Sequence, residues 1–283
     1  KHERDDITYI EESDIVDFAD INGQENAKRA LVVAAAGGHN VLMFGPPGTG
    51  KTMLAKAFAG ILPTLSHNDS LTVTGIHSAA GKLRQSLITK PPIRTPHHSS
   101  SFGGMFGGGS FPKPGEVTLA HKGVLFLDEF PEFDRKVIET LREPLEDHTI
   151  TISRTKNSET FPSDFILITA MNPCPCGYNG SKMRQCICGS HDIIRYRKKI
   201  SGPIIDRIDI TIPVEHVPFE KIIGHISTNN FANKNTSPNA FLMTSENIRN
   251  DVHVARQRQK NRLHSLGIHK EINARLSAKE LLV

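Results

Sequence analysis

Residues Gly45–Thr52 read GPPGTGKT and follow directly on the apolar run Val41-Leu42-Met43-Phe44. A short strand, a glycine-rich turn and the apolar helix MLAKAFAGIL, in that order, leave few folds open. The backbone N–H groups of such a turn point inward and can cradle phosphate oxygens, and the helix N-terminus adds the positive end of its dipole. Lys51 supplies a point charge for β- and γ-phosphates, and Thr52 offers a hydroxyl to Mg²⁺. Gly45, Pro46, Pro47, Gly48, Thr49, Gly50, Lys51 and Thr52 are therefore the candidate nucleotide-binding residues, with ATP and Mg²⁺ as expected cofactors.

The run VLFLDE at Val124–Glu129 has the form of a buried strand that delivers two carboxylates to its C-terminal end. Open α/β sheets bind their ligands at that edge. Asp128 can hold the Mg²⁺ shell, and Glu129 can polarise a water for in-line attack on a γ-phosphate. A solvated loop start would read the same way in isolation, but the phosphate-type loop upstream gives the pair a purpose. Asn172 follows a further apolar run, FILITA, where an amide can orient the attacking water; an ordinary Asn-Pro turn is the plainer alternative, since Pro173 follows.

Apolar runs alternate with helix-like stretches along most of the 283 residues, which predicts an α/β fold with a parallel sheet covered on both faces. Helices are expected over Gln24–Ala36 (closed by Gly37-Gly38), Lys51–Leu62, from Asp134 onward and over His191–Lys199. Strands are expected at Val41–Phe44, Leu71–Thr74, Val124–Leu127, Phe165–Ala170 and about Ile208–Val214, with a β-hairpin over Thr149–Phe161. Residues Lys90–Gly115 carry too many Gly, Pro and Ser for a regular element and read as one long functional loop. The organisation expected is an entry segment over 1–20, an α/β core over 21–217 and a helical lid over 218–283. The chain opens KHERDDITYI without an initiator Met and stops in the helix-like AKELLV, so it reads as a piece of something longer. No run of about 18 apolar residues occurs, which argues against a membrane span and for a cytoplasmic protein.

The formal net charge of +4 mildly favours a polyanionic partner. The basic runs RYRKK (Arg195–Lys199) and ARQRQKNR (Ala255–Arg262) are its local form, although solvated helix faces look the same. All four cysteines, Cys174, Cys176, Cys186 and Cys188, fall in CPCGYNGSKMRQCIC. Two Cys-x-Cys pairs can supply four thiolates to one structural Zn²⁺, with His191 in reserve; free thiols are the alternative.

The phosphate loop, the Asp128–Glu129 pair and Asn172 together resemble the AAA+ ATPases. The stretches RTPHHSSSFGGMFGGGSFPKPGEVTLAHKGVLFLDE, LREPLED, TISRTKNSETFPSDFILITAMNPCPCG and RYRKKISGPIIDRIDI narrow the resemblance to the ComM/YifB group of magnesium-chelatase-like AAA+ proteins, over about Asp17–Pro218. That resemblance implies an AAA+ P-loop NTPase core with a helix-2 insertion (Lys90–Gly115), a hairpin before the sensor strand (Thr149–Phe161) and a partial α-helical lid. It also implies a hexameric ring in which Arg207 of IIDRIDI is the arginine finger for the neighbouring subunit, although a local ion pair with Asp206 or Asp209 would suit the residue equally well. A Lon-protease-like domain would precede Lys1, and a lid arginine that contacts nucleotide would follow Val283. The chain alone is then expected to bind nucleotide but to assemble and hydrolyse poorly.

Three functions compete. A DNA motor of the ComM type would migrate single-stranded or branched DNA during transformation and recombination, with Lys156 and Arg154 at the hairpin tip gripping phosphates without reading sequence. Phe102, Phe106 and Phe111 among glycines could form a second pore element or simply anchor the loop. A chelatase motor subunit or a protein remodeller would instead act on a protein partner, and DNA-stimulated ATP hydrolysis separates these from the first.

Overall fold

The computed structural model describes residues 15–83, 86–109, 112–153, 158–181, 183–217, 244–277 and 279–280. Five parallel strands, β1 (Val41–Phe44), β2 (Ile93–Arg94), β3 (Val124–Leu127), β4 (Ile166–Met171) and β5 (Ile210–Pro213), form one sheet in the order β2-β3-β4-β1-β5. Val41 is in register with Ile168 on one side and Ile210 on the other, and Val124 with Ile166. Every residue of β3 and β4 is buried, as a parallel strand covered on both faces requires.

Strand alternation splits the core into two layers. Val41, Met43, Val124, Phe126, Ile166 and Ile168 face a cluster with Phe18, Leu31, Leu54 and Phe58. Leu42, Leu125, Leu127, Leu167 and Met171 face the opposite cluster, with Phe106, Phe130, Ile138 and Leu141. Helix α1 (Glu25–Gly37) and helix α2 (Lys51–Gly60) cover the first layer, and α1 ends where Gly38 turns left-handed and donates its N–H to Ala34 O.

Two expectations are corrected. Leu71–Thr74 is not a strand but lies inside helix α3 (His67–Ala79), capped by Ser66, whose hydroxyl accepts from Asp69 N. Its buried residues Ser70, Val73, Ile76 and His77 follow the helical repeat, which overrides the β-branched LTVT. The strand expected there is β2, inside the segment read as irregular. Residues 90–115 also hold a short helix, Phe102–Phe106, capped by Ser101, and an antiparallel ribbon of Gly107–Gly108 with Lys113–Pro114. Phe106 is buried in the second layer; Phe102 is exposed and stacks on it at 4.8 Å between ring centroids. Phe111 lies outside the described residues.

Strand β3 leads through a turn into α4 (Arg135–Thr140), capped by the Asp134 carboxylate, and α5 (Arg142–Asp147). The hairpin is present as Thr149–Ser153 against Ser158–Pro162, with Ile150 buried on the second layer. Its tip, with Arg154 and Lys156, lies outside the described residues. Helix α6 (Ser190–Arg197) follows the cysteine loop. The lid expected from residue 218 begins outside the described residues. Beyond it, α7 (Ser245–Ser265) packs on α1 and α2 and adds Ile248 and Val252 to the first layer.

The basic run in α7 proves to be structural. Arg256 grips Ala35 O through Nε and Nη2 at 2.9 and 2.6 Å, and Gln259 donates to Ala36 O at 3.0 Å. Two turns earlier Arg249 grips Gly60 O at 2.8 and 2.6 Å. These carbonyls end α1 and α2, where no intrahelical donor remains and the dipole favours a cation.

Candidate active site

The phosphate-type loop joins β1 to α2, with Gly48 and Gly50 in the left-handed region at φ 75° and 88°. Lys51 opens α2 only 8% exposed. Its Nζ donates to Gly45 O at 2.8 Å, to Pro46 O at 2.9 Å and to Asn172 Oδ1 at 3.3 Å. Burial lowers its pKa against the opposing pull of Asp128 and Glu129. All three hydrogen-bond acceptors are neutral, so no carboxylate pairs with the ammonium directly.

Thr52 Oγ1 donates to Asp128 Oδ2 at 2.7 Å, and Asp128 Oδ1 accepts from Glu129 N at 2.9 Å. The Asp128 carboxylate is thereby fixed beside a hydroxyl, a donor pair that suits an octahedral, oxygen-seeking cation. Glu129 stops the strand in a left-handed conformation, φ 51° and ψ 42°, which costs about 1–2 kcal/mol for a side-chain-bearing residue. Its carboxylate is 57% exposed and lies 3.4 Å from His98 Nδ1.

Asn172 leaves β4 with its amide oxygen on Lys51, which brings the third strand end into the same cluster. Burial, with Glu132 nearby, pushes the pKa of the Tyr196 phenol in α6 up to about 12. Lys51, Thr52, Asp128, Glu129 and Asn172 thus gather at the C-terminal edge of the sheet.

Arg207 lies at the other edge. Its backbone carbonyl accepts from Asn40 Nδ2 just before β1, and its guanidinium pairs with Glu146 and donates to Pro203 O at 2.7 Å. The four residues of β1, about 13 Å at 3.3 Å each, separate it from the phosphate loop of its own chain. Neither Asp206 nor Asp209 is its partner; Asp209 accepts from Asn40 N and pairs with His39.

The cysteines converge. Cys174, Cys176 and Cys186 have sulfur separations of 3.4, 3.7 and 3.6 Å, and all four sulfurs lie within 4.8 Å of one another. Tetrahedral Zn–S bonds of 2.3 Å place sulfurs about 3.8 Å apart. Backbone N–H groups of Asn179, Cys176 and Cys188 donate to the sulfurs of Cys174, Cys188 and Cys186. The donor set fits Zn²⁺, and exposed His191 is not among it.

Sequence reasoning missed two residues here. Gln24, left-handed at φ 58°, donates to Thr49 O at 3.3 Å and to Glu215 O at 2.5 Å, tying the phosphate loop to the chain after β5. His98, beside Glu129, was legible only as half of a His-His pair. Of the run RYRKK, Arg195 pairs with Asp192, Arg197 donates to Pro173 O, and Lys199 pairs with Glu132.

Strand order, phosphate loop and acidic strand end define an AAA+ P-loop domain. The family model described as "Magnesium chelatase, subunit ChlI" matches residues 17–222, and the chain belongs to this family. Within it the chain is 42% identical to the Salmonella typhimurium protein YifB over 267 residues, 94% of this chain and 48% of that protein. It is 47% identical to competence protein ComM of Haemophilus influenzae over 205 residues, 72% of this chain and 40% of that one. The chain thus spans about half or less of the length of these relatives. In fold it is similar to a chain in the cryo-EM-based complex of magnesium chelatase subunits BchI and BchD (TM-score 0.53, 22% identity, 86% of this chain and 76% of that chain). Among the described residues no helix is long and apolar enough to cross a membrane.

Proposed function

We propose that the chain is the motor domain of a cytoplasmic, hexameric ATP-hydrolysing ring that moves single-stranded or branched DNA, in the manner of ComM-type branch-migration helicases in transformation and recombination. Residues 1–20 serve as entry segment, 21–217 as ATPase core and 218–283 as part of the lid. The observation that carries the motor reading is the convergence of Lys51, Thr52, Asp128 and Asn172 from three strand ends. Loop N–H groups and Lys51 hold the phosphates, and Thr52 with Asp128 holds Mg²⁺. That ion would supply positive charge to offset the charge of the phosphates. Glu129 takes the proton of the attacking water, which Asn172 orients. Arg207 reaches the site of the adjacent subunit from the far edge of its own sheet. Cys174, Cys176, Cys186 and Cys188 hold a Zn²⁺ ion whose role is structural.

The DNA half of the reading is supported by the likeness to a competence protein and by surface charge. A cleft of about 320 Å³ lies between the turn after β3 and α6, lined by Arg135, Arg195, Lys198, Lys199 and Glu132. Cations in such a cleft attract a polyanion without selecting sequence. At the hairpin tip, Arg154 and Lys156 grip phosphates inside the ring.

Phosphate release by the full-length protein, with and without single-stranded or branched DNA, tests both halves. Glu129→Gln should keep nucleotide binding and lose about 100- to 10,000-fold in hydrolysis. Lys156→Ala with Arg154→Ala should keep basal hydrolysis, lose DNA stimulation and flatten the salt dependence of DNA binding. Robust turnover by the Glu129 variant removes it as the base. Hydrolysis indifferent to DNA in the wild type favours the chelatase or remodelling reading.

A further inference from the structure

We infer that the four-cysteine loop is a metal-dependent brace for the nucleotide site: Zn²⁺ on Cys174, Cys176, Cys186 and Cys188 fixes Asn172 and Pro47, so nucleotide affinity depends on metal occupancy. The inference rests on the zinc reading of these cysteines and extends it from local structure to the active site.

Three contacts carry it. Only Pro173 separates Asn172, which accepts from Lys51, from the first sulfur ligand. Gly177, left-handed at φ +85°, lies so close to the phosphate loop that a Cβ there would be 2.7 Å from Pro47 Cδ and 3.8 Å from Asn172 Cγ. On the other side α6 begins two residues after Cys188, and its Arg197 donates to Pro173 O at 3.2 Å. The cysteine loop is therefore wedged between the phosphate loop and α6.

Little besides a ligand can hold that wedge in shape. Among the described residues of 174–188 there is no helix or strand, and the backbone bonds within it are short turns such as Gly177 N to Cys174 O. A loop of this kind loses conformational freedom when its ends are clamped together, and four metal–thiolate bonds supply the compensating free energy. Without the clamp, Gly177 has no reason to stay against Pro47, and Asn172 loses its fixed approach to Lys51. A displacement of about 1 Å at a reacting or binding group is enough to cost up to about 100-fold.

The test uses the full-length protein. Metal content is measured as purified, and zinc is then released with an organomercurial and a chelator while a thiol-sensitive dye counts it. Affinity for a fluorescent ADP analogue and the melting temperature are recorded before release, after release and after Zn²⁺ is returned. The expected result is one zinc per chain, a loss of about 10-fold or more in affinity on release, a chain that still melts cooperatively, and recovery with Zn²⁺ but not with Mg²⁺. Gly177→Ala provides a second route, since it should keep the zinc and still weaken nucleotide binding by pushing Pro47 aside. No bound zinc, with four freely titrating thiols and no uptake of added Zn²⁺, overturns the zinc reading itself. Zinc present but released without change in affinity overturns the brace alone. Should release unfold the chain, Gly177→Ala decides: full zinc with unchanged affinity overturns the brace, and full zinc with weakened affinity supports it.

Discussion

The two edges of the central sheet each hold a lysine in a polar cluster, and the clusters are built on opposite plans. At the C-terminal edge, Lys51 meets only carbonyl and amide oxygens, and burial lowers its pKa. At the N-terminal edge, Lys122 pairs with Asp164 at 3.0 Å and Asp69 at 3.6 Å; burial opposes its charge, but these carboxylates outweigh it and raise its pKa. Asp164 is also paired with Arg275, and its own pKa falls to about 2: burial would raise it, but Arg275 and Lys122 prevail. One cation is left with neutral hydrogen-bond partners, while the other is neutralised within the fold. The first plan costs stability and, on the function proposed above, serves nucleotide binding; the second clamps the starts of β3 and β4 together with the segment that follows α7.

Arg207 offers the sharpest way to break this contrast, because it sits at the structural edge and is assigned a chemical role. Arg207→Ala should leave nucleotide binding by one subunit nearly intact and reduce hydrolysis by the ring about 1,000-fold or more. Rings mixed from Arg207→Ala and Glu129→Gln subunits should regain part of the activity, since some interfaces then pair an intact Glu129 with an intact neighbouring Arg207. No recovery in rings shown to mix would return Arg207 to a purely structural part with Glu146.

Lys51→Met should lower nucleotide affinity about 100-fold or more, the loss of two or more charge-assisted hydrogen bonds. Its melting temperature should hold or rise, because a desolvated cation is removed. A marked fall in stability would show that the loop carbonyls satisfy the ammonium better than the comparison allows.

Asp164→Asn should do the reverse: nucleotide affinity unchanged, stability lower by about 1–3 kcal/mol, toward the lower end because the cluster is partly open to solvent. The pH dependence has a definite sign. A carboxylate at about 2 in the folded chain and about 3.9 unfolded contributes stability that is complete above the unfolded value and lost as pH falls toward 2. Acid titration followed by circular dichroism should therefore unfold the wild type more steeply below pH 4 than the Asn variant. Equal slopes would remove Asp164 as the source.

The smallest effect belongs to His98→Ala. It should alter hydrolysis by only about threefold, the scale of a surface ion pair of up to ~1 kcal/mol, and leave affinity unchanged. A change in affinity would move His98 from the base to the phosphates.

Much of this was legible because it is local. Phosphate loop, acidic strand end and Asn172 are each a short apolar run followed by polar residues, and a parallel sheet then brings its strand ends to one edge. What escaped depends on pairing across the chain. Strand β2 is two residues long and exists because Ile93 and Arg94 pair with Val124 and Leu125; nothing in IR announces it. LTVT suggested a strand from its β-branched residues, yet burial on one helical face decided otherwise. Arg256 read as part of a surface charge run because its partner, a last-turn carbonyl of α1, lies 221 residues away in the chain; Arg249, outside that run, likewise meets a carbonyl of α2 189 residues away.

That last pairing has a consequence for how a signal could cross the domain. Helix α2 is a single rod of ten residues, about 15 Å long. At its N-terminal tip stands Lys51 of the phosphate-type loop, and at its C-terminal tip the guanidinium of Arg249. An anion held at Lys51 and the cation at Gly60 would stand at the two ends of one dipole, each at the end that favours its charge. Lifting α7 off Gly60 would weaken the pull on a phosphate at the far tip before any atom of the loop had moved.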